Sequence, residues 1–290
     1  MVIDLKSAFE EDPPIMDFIW PGFLAGTVGA LVAPGATGKS FWALQAAMSV
    51  SCSVDGGDLV GINPTRSGRV IYLAGEDPDQ ALRCRAHSIG KRLTDEAKQS
   101  IAKNLHLEPI MGKRLDVMNS KKLDEIIKLY LGSRLIVLDT LSRIHGLDEN
   151  SNSDMSQVVA ALEYLAHSTG ASVLYLHHVS KSSLREGLIN QQQAGRGASA
   201  LIDNVRWCGF MSKVTKDKFK QSPGPHQNQR QKKGRDSEYV QFGVSKQNYG
   251  EHQPDRFYAR GEGGVLVPTL VSQTKSRCTH KDKSYVAATY

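Results

Sequence analysis

Apolar runs and helical patterns alternate along the chain between residues 27 and 178. Five runs are apolar at nearly every position: TVGALVAP, RVIYLAGE, LHLEPI, RLIVLDT and ASVLYLHH. Strands that are apolar on both faces are typical of a buried parallel sheet. Helical periodicity occurs in residues 39–50, 79–93, 94–103, 120–130 and 154–168. The alternation predicts βαβ units, and therefore an α/β fold with a mainly parallel central sheet flanked by helices.

The pattern changes after residue 179. A polar stretch, SKSSLREGLINQQQAGRG, leads to a short helical segment, ASALIDNV. Four strand-like segments follow, RWCGFMSKV, EYVQFGVSKQN, FYAR and GGVLVPTL, and we expect C-terminal antiparallel strands there. The sequence therefore predicts an extended N-terminal arm over residues 1–20, a core over residues 21–271 and a disordered basic tail over residues 272–290.

Charge is distributed unevenly along the 290 residues. Lys and Arg outnumber Asp and Glu by 36 to 30, and residues 211–236 hold eight of the basic residues and two of the acidic ones. That segment alone therefore accounts for the net charge of +6. We expect a basic flexible insert over about residues 213–237, between two strands. The insert is either a contact for a polyanion or a solvated loop.

Several classes of protein are excluded by the same sequence. The chain has no run of 18 apolar residues that could span a membrane. Its first residues, MVIDLKSAFEEDPP, lack the basic and apolar regions of a secretory signal. The four cysteines, Cys52, Cys84, Cys208 and Cys278, match no zinc or redox spacing. We therefore expect a cytoplasmic protein.

A glycine-rich segment, APGATGKS, joins the first apolar run to a helical pattern. This order of strand, loop and helix is what a phosphate-binding P-loop requires, although an alanine stands where the first glycine is usual. Gly35 and Gly38 are expected to let the backbone turn its N–H groups toward phosphate oxygens. We expect ATP to bind, with Lys39 at its β- and γ-phosphates and the Ser40 hydroxyl on Mg²⁺. The predicted ATP-binding loop is Ala33, Pro34, Gly35, Ala36, Thr37, Gly38, Lys39 and Ser40.

Polar residues end three other strands of the predicted sheet. Asp139 closes RLIVLDT, which is the pattern of a Walker B carboxylate that holds Mg²⁺. Glu76 follows RVIYLAG, and we expect it to orient the attacking water, the alternative being an exposed residue at a strand end. His177 is the first candidate for a sensor of the γ-phosphate, and His178 is the second, because strand alternation turns them opposite ways.

Six segments in this order and spacing resemble the RepA-type hexameric helicases of broad-host-range plasmids, within the RecA-like ATPases. The segments are TVGALVAPGATGKS, VIYLAGEDP, LIVLDTLSR, LHHVSK, QQQAGRGASALIDNVRW and FGVSKQNYG. The resemblance covers residues 27–270. It implies six-membered rings that hydrolyse ATP at subunit interfaces, unwind DNA and work with other plasmid replication proteins.

The resemblance also implies roles for individual residues. Glu76 matches the catalytic carboxylate, Asp139 the metal-side carboxylate, and the pair of histidines at 177 and 178 the sensor. Arg206 matches an arginine finger supplied by the neighbouring subunit. Lys246 lies where related ring helicases carry a Lys-x-Arg pair, although the second member here is Asn248. The alternatives are an ion pair with Asp203 for Arg206 and simple surface exposure for Lys246. Arg85 is a candidate for stacking on adenine.

In this architecture the loops that follow Asp139 and His178 face the ring channel. We therefore expect contacts with single-stranded or forked DNA from basic residues in these loops, because Lys and Arg bind a phosphate backbone without reading its sequence. The glutamine run 191–193 is a weaker candidate. The N-terminal arm is expected to pack on the adjacent subunit. The basic candidates for DNA binding are Arg143, Lys181, Arg185 and Arg196.

Two other functions fit a RecA-like core. One is a DNA-associated regulatory or assembly switch that hydrolyses ATP without unwinding. The other is a P-loop kinase of a small substrate, which is disfavoured because no lid for an acceptor can be identified in the sequence.

Overall fold

A computed structural model describes residues 2–179, 199–214, 220–221, 239–251, 253–269 and 271–272. The helices are α1 (Leu5–Glu10), α2 (Lys39–Ser51), α3 (Asp79–Gly90), α4 (Asp95–Asn104), α5 (Ser120–Tyr130), α6 (Asn152–Thr169) and α7 (Ser199–Asp203). Strands β1 to β7 are Phe18–Trp20, Phe23–Leu24, Val28–Ala33, Val70–Ala74, Leu105–Pro109, Leu135–Asp139 and Ser172–His178. Strands β8 to β13 are Trp207–Val214, Lys220–Gln221, Tyr239–Gln247, Arg256–Arg260, Leu266–Thr269 and Val271–Ser272.

Nine of the described strands form one sheet in the order β12-β11-β10-β8-β3-β7-β6-β4-β5. Strands from β8 to β5 in this order are parallel. Strands β10, β11 and β12 continue the sheet beyond β8 in antiparallel pairs. The predicted α/β fold, with a mainly parallel sheet, flanking helices and C-terminal antiparallel strands, is therefore confirmed.

The sheet is buried on both faces, as its apolar runs indicate. Every residue of β3 is buried. Its alternate residues join two hydrophobic clusters, with Leu31 in the cluster under α2 and Ala30 in the cluster under α6. Because strand side chains alternate between faces, one apolar run supplies both layers of the core.

Polar residues set the ends of the helices. The side chains of Thr94, Asn119 and Ser151 accept hydrogen bonds from backbone N–H groups in the first turns of α4, α5 and α6. Such caps satisfy donors that have no partner within the helix. Gly170 ends α6 with a φ of 74°, in the left-handed region that glycine adopts without strain. These local rules explain why the predicted helices lie within a few residues of the observed ones.

The N-terminal segment differs from the extended arm that the sequence predicts. Leu5–Glu10 form helix α1, because the Asp4 side chain accepts a hydrogen bond from the backbone N–H of Lys6. Asp17 forms an ion pair with Arg134, and Trp20 is buried against Trp42 and Trp207. Burial therefore begins at Ile19, and residues 2–16, before the ion pair of Asp17, include no buried residue.

Most of the basic insert and nearly all of the C-terminal tail lie outside the described residues, so their predicted flexibility stays a prediction. Within the insert, however, Lys220–Gln221 form β9, which pairs with Val271–Ser272 of β13. Among the helices of the described chain, none has the length and apolar character to cross a membrane.

Candidate nucleotide-binding site

The predicted site residues meet at one edge of the sheet. Strands β3, β7, β6 and β4 are parallel neighbours, so their carboxyl ends lie side by side. In this register Ala33 lies opposite His178, and Ala74 lies opposite Asp139. The P-loop, the Walker B carboxylate and both sensor candidates therefore lie at the carboxyl edge, where open α/β sheets bind ligands.

The P-loop turns into α2 through two residues with positive φ. Gly38 has a φ of 104° and caps α2, and Ala36 has a φ of 60°. Gly35, from which a bend was also expected, has no positive φ, so the second left-handed position belongs to Ala36. The Thr37 hydroxyl donates a hydrogen bond to the carbonyl of Pro34 across 2.8 Å. The loop presents the N-terminal amides of α2, which makes an anion site.

Lys39 begins α2 and points into the site. Only 4% of Lys39 is exposed, and burial lowers the pKa of its ammonium. The negative charges of Asp139 and Glu76 partly offset this effect, because they favour the charged ammonium. Its Nζ lies 3.1 Å from Nδ1 of His178. Because an ammonium can only donate, Nδ1 must accept, and we infer that the proton of a neutral His178 is on Nε2. That Nε2 lies 3.6 Å from Oε2 of Glu76.

Ser40 and Asp139 form the predicted metal side of the site. The Ser40 hydroxyl donates to Oδ1 of Asp139 across 3.2 Å, and the Tyr72 hydroxyl donates to Oδ2 across 2.6 Å. Burial raises the pKa of Asp139, and both hydrogen bonds and the charge of Lys39 oppose that rise. Burial and the neighbouring Asp139 raise the pKa of Tyr72 well above its usual value. Tyr72 therefore stays a donor, and it favours the ionised carboxylate.

The oxygen atoms of Ser40 and Asp139 are suitable ligands for Mg²⁺. A hydroxyl and a carboxylate supply the oxygen ligands that Mg²⁺ prefers, and at nucleotide sites phosphates and water complete its coordination. No group of three or more His, Cys, Asp or Glu side chains in the described chain is arranged to hold a metal by itself. A single hydroxyl beside a single carboxylate suits a metal that arrives with a nucleotide and keeps phosphate and water ligands.

Glu76 is surrounded by three polar groups. Its Oε1 accepts a hydrogen bond from the Thr140 hydroxyl across 3.2 Å and lies 3.9 Å from Nε of Arg143. Its Oε2 faces His178. Arg143 can pass this close because Gly75 has no side chain: a Cβ there would lie 2.6 Å from Cβ of Arg143. Glu76 is 37% exposed and therefore remains accessible to water.

The two histidines at the end of β7 face opposite ways, as strand alternation predicts. His177, the first candidate for the sensor, is buried, and its Nδ1 lies 4.0 Å from Oε2 of Glu149. Burial lowers its pKa to about 4. His178 contacts Lys39 and lies beside Glu76. The geometry favours His178, the second candidate, since His178 faces the site and His177 faces the loop after β6; sensing by either residue stays a prediction.

Arg85, the candidate for stacking on adenine, lies on α3. It forms a bidentate ion pair with Asp77, at 2.5 and 2.8 Å, and its guanidinium lies 5.2 Å from the centre of the Phe41 ring. The guanidinium is thus held over an aromatic ring. Stacking of Arg85 on adenine stays a prediction.

The two finger candidates lie at the amino edge of the sheet, away from the P-loop. The backbone N–H of Arg206 donates to the carbonyl of Val28, at the start of β3, and Lys246 lies opposite Cys208 near the start of β8. Arg206 is exposed and forms no ion pair with Asp203, whereas Lys246 donates to the carbonyls of Ile202 and Asp203 at the end of α7. The length of β3, roughly 16 Å, separates this edge from the P-loop.

Of the residues predicted to contact DNA, the structure describes Arg143, which lies beside Glu76. The other three candidates and the glutamine run 191–193 are outside the described residues. These are Lys181, Arg185 and Arg196.

Three residues of the site were missed by sequence reasoning. Tyr72 is the one residue with a polar tip in the run VIYLA, and Thr140 directly follows the Walker B carboxylate. Both residues could have been found from the sequence, because each places a hydroxyl group beside the predicted site. Arg260 at the end of β11 donates to the carbonyls of Ala36 and Thr37, at 3.3 and 3.0 Å. Nothing in its local sequence, FYARGEGG, points to a P-loop more than 200 residues earlier.

Comparison with known proteins agrees with the observed fold. The chain is similar to the solved structure of an isolated ATPase domain, with a TM-score of 0.50 and 14% identity over 83% of this chain and 84% of that chain. It is also similar to the solved structure of a DnaB-like replicative helicase, from work that describes the helicase and its interactions with primase. The TM-score is 0.52, with 14% identity over 84% of this chain. The match spans 57% of that helicase chain.

At this level of identity, the likeness shows a shared RecA-like fold. A family model supplies the closer assignment. The model for the AAA domain matches residues 4–183, more than half of the chain, and the chain therefore belongs to the AAA domain family.

Proposed function

We propose that this helicase-like ATPase forms a homohexameric ring, hydrolyses ATP at its subunit interfaces and unwinds DNA while it moves along single strands. The observation that carries the proposal is the separation of the site into two halves. The phosphate, metal and water-orienting groups lie at the carboxyl edge of the sheet, and Arg206 and Lys246 lie at the amino edge. One subunit therefore presents a nucleotide half at one edge and a finger half at the other.

The carboxyl edge holds the groups that hydrolysis needs. The α2 amides and Lys39 bind the phosphates, and the Ser40 and Asp139 oxygens hold Mg²⁺, which neutralises developing negative charge. Glu76 accepts a hydrogen bond from the attacking water, and the Thr140 hydroxyl fixes the carboxylate that does so. His178 lies between Lys39 and Glu76 and is placed to respond to loss of the γ-phosphate.

A finger from another subunit completes this set. Arg206 is too far from its own P-loop to contact a phosphate bound there, because about 16 Å of strand lies between them. A neighbouring subunit that stacks its amino edge on this carboxyl edge brings the guanidinium to the γ-phosphate. Arginine fingers contribute about 10³–10⁵-fold to the rate in other P-loop enzymes. Repetition of one heterologous contact closes a ring when the rotation allows it.

The N-terminal arm supports the same assembly. Residues 2–16 contain no buried residue, and their large apolar side chains are exposed, including Phe9 at 82% and Ile15 at 99%. A surface with this many apolar side chains favours burial against a partner. We propose that the arm packs on the adjacent subunit of the ring.

DNA contact is proposed for the loops after β6 and β7. Arg143, in the loop after β6, is the candidate that the structure describes. We propose further contacts from Lys181, Arg185 and Arg196 after β7 and from the basic insert, which lie mostly outside the described residues. Contacts of this type depend on phosphate charge, so binding weakens as salt rises. A cytoplasmic role in plasmid replication, alongside other replication proteins, follows from the resemblance of the six sequence segments.

A strand-displacement assay on a forked duplex tests the proposal, with Lys39→Ala as the control that removes the phosphate-binding ammonium. We expect ATP- and Mg²⁺-dependent separation of the strands by the wild type and none by the variant. If the wild type hydrolyses ATP faster with DNA but never separates the strands, the protein is a DNA-associated switch. If DNA does not stimulate ATP hydrolysis and its strands are not separated, the proposal that the protein acts on DNA fails.

A further inference from the structure

Arg260 reaches the P-loop from the C-terminal part of the chain. It ends β11, which lies next to β10 and runs antiparallel to it, so its carboxyl end returns to the edge where the P-loop lies. There Nη2 donates to the backbone carbonyls of Ala36 and Thr37 at 3.3 and 3.0 Å. We propose that Arg260 is a positioning residue that holds the P-loop in its phosphate-binding conformation.

The physical reason lies in how a P-loop binds anions. Its N–H groups must point inward, toward the phosphates, and the carbonyl oxygens of the same peptide groups then point away. A guanidinium that binds two successive carbonyls from outside favours this orientation of the backbone. Its positive charge next to the loop also favours the approach of a polyphosphate. Arg260 therefore assists phosphate binding without touching the phosphate.

The conformation of Ala36 gives this contact an independent reason. Its φ of 60° is in the left-handed region, which is strained for a residue with a Cβ. Such a residue keeps its conformation when its surroundings impose it. Gly38, two residues later, lets the guanidinium approach closely, because a Cβ there would lie 3.2 Å from Nη2 of Arg260. The strained residue and the close approach occur at the same part of the loop.

Strand β11, which carries Arg260, and its neighbour β12 are both fixed to the P-loop helix. The buried side chain of Gln45 on α2 accepts a hydrogen bond from the N–H of Leu266 and donates one to its carbonyl, both at 2.9 Å. Nε1 of Trp42 donates to the Tyr258 hydroxyl on β11, which donates to the carbonyl of Val60. The guanidinium thus extends from a rigid base, as a positioning residue requires.

Nucleotide binding by Arg260→Gln tests the inference, which rests on phosphate binding at the P-loop and not on unwinding. We expect the Kd of a fluorescent ATP analogue to rise about tenfold, since a charge-assisted contact is lost. Competition by inorganic tripolyphosphate, which has no base, should weaken by the same factor. The kcat at saturating ATP should change less than threefold, because the groups that contact the reacting atoms are unchanged.

Two further variants separate positioning from general damage. Arg260→Lys should recover most of the affinity, to within about two- to fivefold of the wild type, because an ammonium can donate to the same carbonyls with poorer geometry. Arg66→Gln, whose side chain is 73% exposed and has no contact with the P-loop or β11, is the matched control and should bind ATP as the wild type does. Thermal unfolding of all the variants reports whether they fold. If Arg260→Gln does not fold, Arg260→Met, which keeps most of the side-chain length but has no donor, carries the test, and wild-type affinity in it would overturn the inference.

Other results would also overturn it. Wild-type affinity in Arg260→Gln would show that the loop needs no outside support. A loss for ATP but not for tripolyphosphate would place the effect on the base side. Equal losses in the Gln and Lys variants, with equally lowered unfolding temperatures, would make Arg260 a structural residue only. A wild type that binds ATP but does not separate DNA strands would overturn the proposed helicase function and leave this inference intact.

Discussion

The ammonium group of Lys39 donates a hydrogen bond to Nδ1 of His178 across 3.1 Å. In the proposed mechanism the same ammonium binds the γ-phosphate, so an incoming nucleotide must replace His178 as its partner. His178 also lies 3.6 Å from Glu76. Phosphate binding at Lys39 therefore changes the partner of the group next to the water-orienting carboxylate, which is a physical basis for a sensor.

Replacement of His178 by Asn should separate binding from hydrolysis. We expect ATP affinity to be unchanged or higher, because Lys39 loses a competing partner, and kcat to fall, because Glu76 loses the neighbour that responds to the γ-phosphate. Equilibrium binding and steady-state hydrolysis measure the two effects. His177→Asn is the matched control, and its main effect should be on stability. A kcat equal to that of the wild type in His178→Asn would exclude the sensor role.

Replacement of Tyr72 by Phe should weaken the use of Mg²⁺. The change removes the hydrogen bond that favours ionised Asp139, so the pKa of this buried carboxyl should rise further. Loss of a group that supports a metal ligand typically costs 10–100-fold in metal affinity. Titration of ATPase activity with Mg²⁺ measures the effect, and the activity should also fall at a higher pH than in the wild type. An unchanged Mg²⁺ dependence would show that Ser40 alone orients the carboxylate.

Mixed subunits should reveal the shared site. Arg206→Ala and Glu76→Ala subunits are each expected to be nearly inactive alone, because every interface lacks one group. When they are mixed, some interfaces join an intact carboxyl edge to an intact amino edge, and part of the ATPase activity should return. Mixing ratios followed by a steady-state assay give the measurement. Inactivity at every ratio, with mixed assembly verified by sizing, would contradict a finger that acts between subunits.

Stability should depend on pH through His177. Its pKa is about 4 in the folded protein, against an ordinary value of 6.5, because burial disfavours the charged ring. Since the unfolded chain takes up a proton first as pH falls, the stabilisation is complete above about pH 6.5 and is lost as pH approaches 4. From pH 7 to pH 5 the loss is about 2 kcal/mol. Chemical unfolding of the wild type and His177→Asn at both pH values measures it, and equal pH dependence would contradict it.

Removal of residues 1–16 should disrupt assembly without unfolding the core. The deletion stops before Asp17, because that residue pairs with Arg134, and Ile19 and Trp20 belong to the hydrophobic core. We expect a smaller particle on sizing, with an unfolding temperature close to that of the wild type. An intact hexamer after the deletion would exclude the arm from the interface.

Local patterns were sufficient to predict the sheet and its helices. The all-apolar runs gave β3, β4, β6 and β7, because a strand buried on both faces has no polar position. They also placed Glu76 and Asp139 at the carboxyl edge, since residues after parallel strands share that edge. The P-loop could be predicted from the sequence because the residues that bind phosphate are adjacent in the chain.

Contacts between distant residues could not be read in this way. The choice between His177 and His178 depends on which face of β7 meets α2, and the sequence pattern leaves both faces apolar. Arg260 acts on backbone carbonyls, which any residue supplies, so no complementary side chain marks its partner. The left-handed φ is at Ala36 rather than at Gly35, and this is opposite to the intrinsic preference of glycine from which a sequence prediction starts.

The placement of the nucleotide-binding groups and the proposed finger residues on opposite edges has a consequence for how activity grows with assembly. In an open stack, the subunit at one end has a nucleotide but no finger, and the subunit at the other end has a finger with nothing to act on. Two subunits then share one working site, and each added subunit contributes one more. Only closure gives every subunit a complete site. ATPase activity per subunit should therefore keep rising with protein concentration until the rings are closed, and then become constant.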